Sequence, residues 1–364
     1  MNYFKYFSSN SLAGSGNQSF FFSENPKNIS TSRVFYKVFK GGYYNYSILF
    51  SNIIDSTYST GEFSHKNIIC DEWYIDSLRI GICDECNCDT MTQISNFIDL
   101  TFDGNVTKTV MPGEFFYTDA IPLDIQPNQY ICLEMAFHGA MLPCHPESLI
   151  PSFLLKDGIW EPSKNMPVPS MIGCDRNVTQ KIAYLGDSIT QGIGTAPNSY
   201  TSWNCVLSHN LGANNAYWNL GLGFGRADDA ASNGAWLFKA KQADVVFVCY
   251  GVNDILQGFS EESIKKNLVI IADKLKRENI LVVFQTVPPF DYDEPHRVIW
   301  ENVNSFIKTT MAEHFPVFDN VPVLSDPQKG SHFAKYGGHP SEDGCAAWGE
   351  CLYTYVNHFL SKTK

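Results

Sequence analysis

Two patterns of hydrophobic spacing divide the chain. Through residues 35–137, apolar positions recur every second residue. Tyr46, Ile48 and Phe50 alternate with Ser47 and Ser51, and Ile131, Leu133, Met135 and Phe137 alternate with Cys132, Glu134 and Ala136. A period of two sets one face of a strand on a core and the other in water, so these segments predict half-buried antiparallel strands. Ile98, Leu100 and Phe102 continue the pattern and run into Asp103-Gly104 ahead of Val106 and Val110. Asp-Gly supplies the positive φ angles of a tight turn, and a hairpin is expected there. With no helical stripe in this half, it reads as an all-β sandwich or jelly roll.

The pattern breaks over residues 151–180, where Pro162, Pro167 and Pro169 lie close together beside Asn165 and Ser170. Such a stretch suits an extended connector, and two domains are expected, 1–176 and 177–364. Beyond it, short continuous apolar runs recur at 182–185, 217–220, 245–249, 280–284 and 317–318. Segments of helical length separate them, among them 261–276 and 295–314. Runs of this kind alternating with helices predict an α/β fold with a doubly wound parallel sheet covered on both faces. Ligands of such a sheet bind beyond the carboxyl ends of its strands.

Composition narrows the function classes. The 364 residues are 44% hydrophobic and 14% aromatic, enough apolar surface for two cores. A net charge of −12 without a basic cluster argues against nucleic acid as a partner and favours neutral or weakly charged substrates. The longest apolar run, 245–250, is strand-sized, far short of the ~20 residues of a spanning helix. The first residues have no signal-like apolar core, so cytoplasmic residence without membrane association is expected. The 11 cysteines are accordingly read as thiols. Cys83, Cys86 and Cys88, with Cys70 upstream, are spaced too irregularly for a structural zinc site, and no metal is expected.

Candidate chemistry lies just past the apolar runs. The first leads into Gly186-Asp187-Ser188-Ile189-Thr190. A serine at a strand-to-helix turn presents its hydroxyl at the mouth of the sheet, although serine in that place is also a common helix cap. The second run ends in Gly221-Leu222-Gly223-Phe224-Gly225-Arg226, whose glycines let the backbone approach a ligand. A dinucleotide fingerprint fails in both registers, because its third glycine falls on Arg226 or Asp228. The third run ends in Gly251-Val252-Asn253-Asp254, where Asn253 can aim an amide at an oxyanion or simply form a turn. Near the end stands Tyr336-Gly337-Gly338-His339-Pro340-Ser341, ahead of an expected final helix, Glu342–Leu360, capped by Ser341.

These four blocks, in this order, resemble those of the SGNH (GDSL-like) hydrolases over about 181–360. The resemblance implies that Ser188 is a nucleophile and His339 its general base. It also implies an oxyanion hole from the Ser188 N–H, the Asn253 amide and a glycine N–H. That glycine is Gly223 or, because the block carries an extra residue, Gly225. The family's acid, three residues before the histidine, is replaced here by Tyr336. A main-chain carbonyl or Asp326 is then left to orient His339. A β-sandwich ahead of such a domain is similar to family 2 carbohydrate esterases, which implies removal of acetyl groups from xylan-type oligosaccharides without a cofactor. Trp203, Phe290, Tyr292 and Trp300 are candidates for stacking on sugar rings. Other short acyl esters or thioesters, and a non-catalytic carbohydrate-binding protein, are the alternatives. The sequence leaves oligomeric state open, a homo-oligomer included.

Overall fold

The computed structural model describes residues 2–14, 16–57, 65–325 and 338–360. The chain divides into two compact units, the first running to Asn177 and the second starting at Val178.

The first unit is built from antiparallel strands. They include β1 (Ser30–Lys37), β2 (Gly42–Ser51), β3 (Trp73–Cys83), β4 (Phe115–Tyr117), β5 (Ile121–Ile125), β6 (Tyr130–Gly139), β7 (Ser152–Lys156), β8 (Ile159–Pro162) and β9 (Met171–Cys174). One sheet runs β8-β7-β1-β6-β3; the other has β9 and β4 flanking β2, with β5 also paired to β2. Alternate residues of both sheets meet in one core, Val34 and Tyr36 of β1 with Ile48 and Phe50 of β2 and Leu133 and Met135 of β6. The opposite face of β2 is covered too. Tyr3 Oη donates to the Ser47 carbonyl at 2.6 Å, and Ser47 Oγ donates to the Thr118 carbonyl at 2.6 Å, so this polar position is buried and satisfied.

The expected hairpin is only a turn. Phe102 and Asn105 exchange backbone hydrogen bonds around Asp103 and Gly104, both at positive φ. The flanking segments then part, Phe97–Asp99 pairing with one stretch of β3 and Lys108–Val110 with another. Competition from the long strand β3 outweighs the local hairpin.

The second unit holds a five-stranded sheet. Its strands are β10 (Lys181–Gly186), β11 (Ala216–Asn219), β12 (Val245–Cys249), β13 (Leu281–Gln285) and β14 (Val317–Phe318). They lie in the order β11-β10-β12-β13-β14, every pair parallel. All five residues of β12 are buried, as a strand covered on both faces requires. Helices named below are α1 (Ser188–Gln191), α2 (Trp203–Leu211), α3 (Ala227–Ala231), α4 (Val252–Leu256), α5 (Glu261–Lys276), α6 (Glu294–Thr309) and α7 (Glu342–Leu360). The strand order reverses at β10, and a doubly wound sheet opens its crevice at that point. Among the described residues no helix is long and apolar enough to cross a membrane. The eleven cysteines are all thiols.

Trp203 belongs to the core rather than to a substrate surface. It is fully buried on α2, stacked on Trp348 of α7 at 4.9 Å and 14°, and edge-on to Tyr184 of β10 at 5.4 Å. A tryptophan at the first position of an amphipathic helix faces whichever side the sheet lies on, and here that side is inward.

Two carboxylates pin short helices to the strand ends. Asp187 caps α1, its Oδ1 accepting from the Ile189 N–H at 2.9 Å. The Asp254 carboxylate accepts from the N–H groups of Ala227 at 2.9 Å and Asp228 at 3.3 Å, opening α3. Burial is the main cause that pushes each of them up to about 7. The backbone donors work against that shift, and the charges of Asp254 on Asp187 and of Asp229 on Asp254 add to it.

Two predictions follow from this packing. Trp203→Ala should lower the stability of the second unit by ~3–5 kcal/mol, read as a shifted urea midpoint. Carboxyls that ionise near ~3.9 when unfolded but about 7 when folded leave the unfolded state with fewer bound protons in between. Stability therefore falls as pH rises from about 4 to about 7. Asp187→Asn keeps the cap acceptor and should flatten that fall in denaturation series from pH 4.5 to 8; an unchanged slope would show that Asp187 carries none of it.

Candidate active site

The serine follows directly from the sheet. β10 ends at Gly186, Asp187 caps the next helix, and Ser188 is its first residue. At that position the Ser188 N–H has no intrahelical carbonyl within reach and points out of the helix end, where partial positive charge gathers. Neighbouring β12 is in register with β10, Gly186 facing Cys249. The chain leaving β12 therefore emerges beside the chain leaving β10, and Gly251 and Asn253 arrive on the same edge as Ser188. Asn253, buried on α4, donates through Nδ2 to the Gly225 carbonyl at 2.9 Å. A primary amide carries two donor hydrogens, so one remains.

His339 comes to the same edge from the far end of the sequence. Its Nε2 lies 2.8 Å from Ser188 Oγ, and both residues are half-buried. Three local features hold it there. Gly338 sits at φ +78°, and a Cβ there would fall 2.9 Å from the Phe290 ring, so the residue before the histidine has to be glycine on both counts. The Phe290 ring stands edge-on to the imidazole at 5.4 Å and 78°. Behind it, Ser341 Oγ accepts from the Gly344 N–H at 3.3 Å to cap α7, and Glu342 Oε1 accepts from the Ala196 N–H at 3.0 Å. Asp326 and Tyr336 lie outside the described residues.

The two glycine N–H groups are engaged within the protein. Gly223 donates to Gln191 Oε1 at 2.6 Å, and Gly225 donates to the Leu222 carbonyl at 3.1 Å. What the glycine segment does supply is the Gly225 carbonyl that holds the Asn253 amide.

Of the aromatics considered for substrate, Phe290, Tyr292 and Trp300 are half-buried and form a series of neighbouring rings that starts at His339. Phe290 lies 6.1 Å from Tyr292, and Tyr292 lies 6.0 Å from Trp300. Trp300 is fixed by its Nε1–H bond to the Val287 carbonyl at 2.8 Å.

Sequence reasoning missed Gln191 and gave Asp254 no more than a turn-forming role. The signal for Gln191 was its place three residues after Ser188, which brings it to the same helical face. Asp254 had no such signal, because its partners at 227 and 228 are distant in sequence. Among the described residues no group of three or more His, Cys, Asp or Glu is arranged to hold a metal ion.

Residues 184–347 match the GDSL-like Lipase/Acylhydrolase family. Solved structures similar to this chain include a member of the lipolytic protein G-D-S-L family from Veillonella parvula. It is 21% identical, covers 50% of this chain and 98% of its own, and has a TM-score of 0.41. An acetylxylan esterase from Geobacillus stearothermophilus, in a catalytic mutant form, is 15% identical over 50% of this chain and 95% of its own, with a TM-score of 0.42. The esterase EstA from Pseudoalteromonas sp. is 15% identical over 50% of this chain and 98% of its own, with a TM-score of 0.40. No curated protein matches the chain. In the order of its motifs, the second unit of this chain is similar to the GDSL-like lipase/acylhydrolase family, the SGNH hydrolases.

Proposed function

We propose that this chain is a serine esterase that removes acetyl groups from neutral, xylan-type oligosaccharides. The observation carrying the proposal is the 2.8 Å approach of Ser188 Oγ to His339 Nε2, two residues 151 positions apart in sequence. A helix cap or a loop histidine has no need of that meeting, whereas a nucleophile and its base do.

In the proposed reaction the Ser188 hydroxyl donates its proton to Nε2 as Oγ attacks the acetyl carbonyl. The carbonyl oxygen takes the electron pair and becomes the oxyanion. The Ser188 N–H and the second hydrogen of the Asn253 amide are its donors. Collapse of the intermediate breaks the ester C–O bond, and the imidazolium returns its proton to the departing sugar oxygen. Water, giving a proton to the same imidazole, then attacks the acetyl carbonyl; the bond to Ser188 Oγ breaks, the imidazolium returns its proton to Oγ, and acetate leaves. Neither glycine N–H of the second block is spare, so the proposal rests on Ser188 and Asn253. A main-chain carbonyl that accepts Nδ1–H would keep His339 in the working tautomer, with Asp326 as the rival.

Support for a sugar substrate comes from the half-buried series Phe290, Tyr292 and Trp300 beside His339, which offers ring faces and edges to a pyranose. The net charge of −12 favours a neutral substrate. The first unit is read as a jelly roll, since β1, β2, β3, β5 and β6 alternate between the two sheets along the chain. Other short acyl esters are the second reading, and chain-length preference separates it from the first.

Acetate release from acetylated xylo-oligosaccharides tests the proposal. The wild type should release acetate, and Ser188→Ala should lose nearly all of it, a change on the order of 10⁶ where the nucleophile of a related triad was removed. No acetate from either protein while both are folded would sink the substrate assignment. Asp326→Asn should keep activity within about threefold; a loss of ~10⁴ would replace the dyad with a triad completed by Asp326.

A further inference from the structure

We infer that Gln191 is a positioning residue for the oxyanion site, holding the glycine loop after β11 so that its Gly225 carbonyl aims the Asn253 amide. The inference rests on the esterase assignment above. Gln191 ends α1, the short helix that begins with Ser188, and its side chain is buried.

Contacts at three points join it to the loop. Gln191 Oε1 accepts from the Gly223 N–H at 2.6 Å. Its carbonyl receives Asn219 Nδ2 at a longer 3.4 Å. Gly221 lies directly against it: a Cβ at 221 would fall 2.2 Å from the Gln191 nitrogen, so no side chain fits between loop and helix. Asn219 also folds its own Oδ1 back onto the Gly221 N–H at 2.9 Å. The loop is thus referenced to the helix that carries the nucleophile, not only to the strand it leaves.

Two residues beyond Gly223, Gly225 accepts the Asn253 amide at 2.9 Å. An amide is a rigid plane, so fixing one of its hydrogens on Gly225 fixes the direction of the other. A continuous path therefore runs from Gln191 Oε1 through the loop backbone to the donor the oxyanion needs. The oxyanion forms only in the transition state, so misaiming its donor lowers kcat and spares KM.

The test compares Gln191→Met, which keeps length but removes the acceptor, with Gln191→Glu, which keeps an acceptor in the same place. Gln191→Asn, one methylene short, serves as a second loss variant should the Met protein fail to fold. On acetylated xylo-oligosaccharide, Met and Asn should lower kcat by ~10–100-fold with KM within about twofold, while Glu, whose acceptor holds Gly223 but whose charge opposes an oxyanion, serves for the exchange readout only. Amide hydrogen exchange at Gly223 reads the contact without activity, and should accelerate in the Met and Asn proteins alone. Retention of kcat in both loss variants overturns the inference, as does Gly223 exchange that accelerates equally in Gln191→Glu. If the wild type cleaves no ester, the esterase reading fails separately. Gly223 exchange then decides the inference: acceleration in the Met protein keeps the anchor, and unchanged exchange removes it.

Discussion

The site depends on one strand pairing. β10 and β12 run parallel and in register, Gly186 beside Cys249. Each strand is followed at once by a turn into a short helix, so the chain's two exits stand side by side. Ser188 leaves from one and Asn253 from the other. Parallel pairing admits no tight hairpin between such neighbours, and the connection between them must cross over the sheet. That crossover holds β11 and the glycine loop, which brings the third part of the site to the same edge. Slippage of β12 by one residue would exchange its faces and carry Asn253 away from the serine. The fully apolar sequence of β12, buried on both sides, leaves register to side-chain packing on its two faces and to the two capped helix ends.

Those capped ends set the electrostatics. Burying Asp187 and Asp254 raises both carboxyls to about 7, so neither is fully charged at neutral pH. Each gains backbone N–H donors in exchange for water. A carboxyl immediately before the proposed nucleophile that carried a full negative charge would oppose an oxyanion forming nearby. Its burial reduces that opposition while keeping the hydrogen bonds that shape the turn.

Much of this was legible in the chain because the relevant patterns are local. The run 245–249, apolar throughout, specifies a doubly covered strand, and the blocks around Ser188, Asn253 and His339 stand directly after such runs or before a capped helix. What sequence could not supply was competition between partners. Residues 98–110 carry a sound turn signal at Asp103-Gly104, yet β3 draws both flanks to itself. Trp203, a core residue more readily than a ring for sugar, shows which only when Trp348, 145 positions later in the numbering, covers it. The Gly223 N–H looked spare for the same reason. Its partner is the side chain of Gln191, and a glutamine's reach is not written in any periodicity.

The tryptophan stack has a consequence for the placing of the histidine. α7 begins three residues after His339, and Trp348 on that helix lies flat against Trp203 on α2. Gly349 brings the two backbones closer still, since a Cβ there would meet the Trp203 carbonyl at 2.7 Å. Trp348 also donates through Nε1 to Gln285 Oε1 of β13 at 2.8 Å, and Tyr355 packs on Phe318 of β14, so the histidine is moored through α7 to the sheet itself. A change that disturbs this stack far from the serine would shift His339 relative to Ser188 without touching either residue, so the geometry of the pair depends on core packing as much as on its own loop.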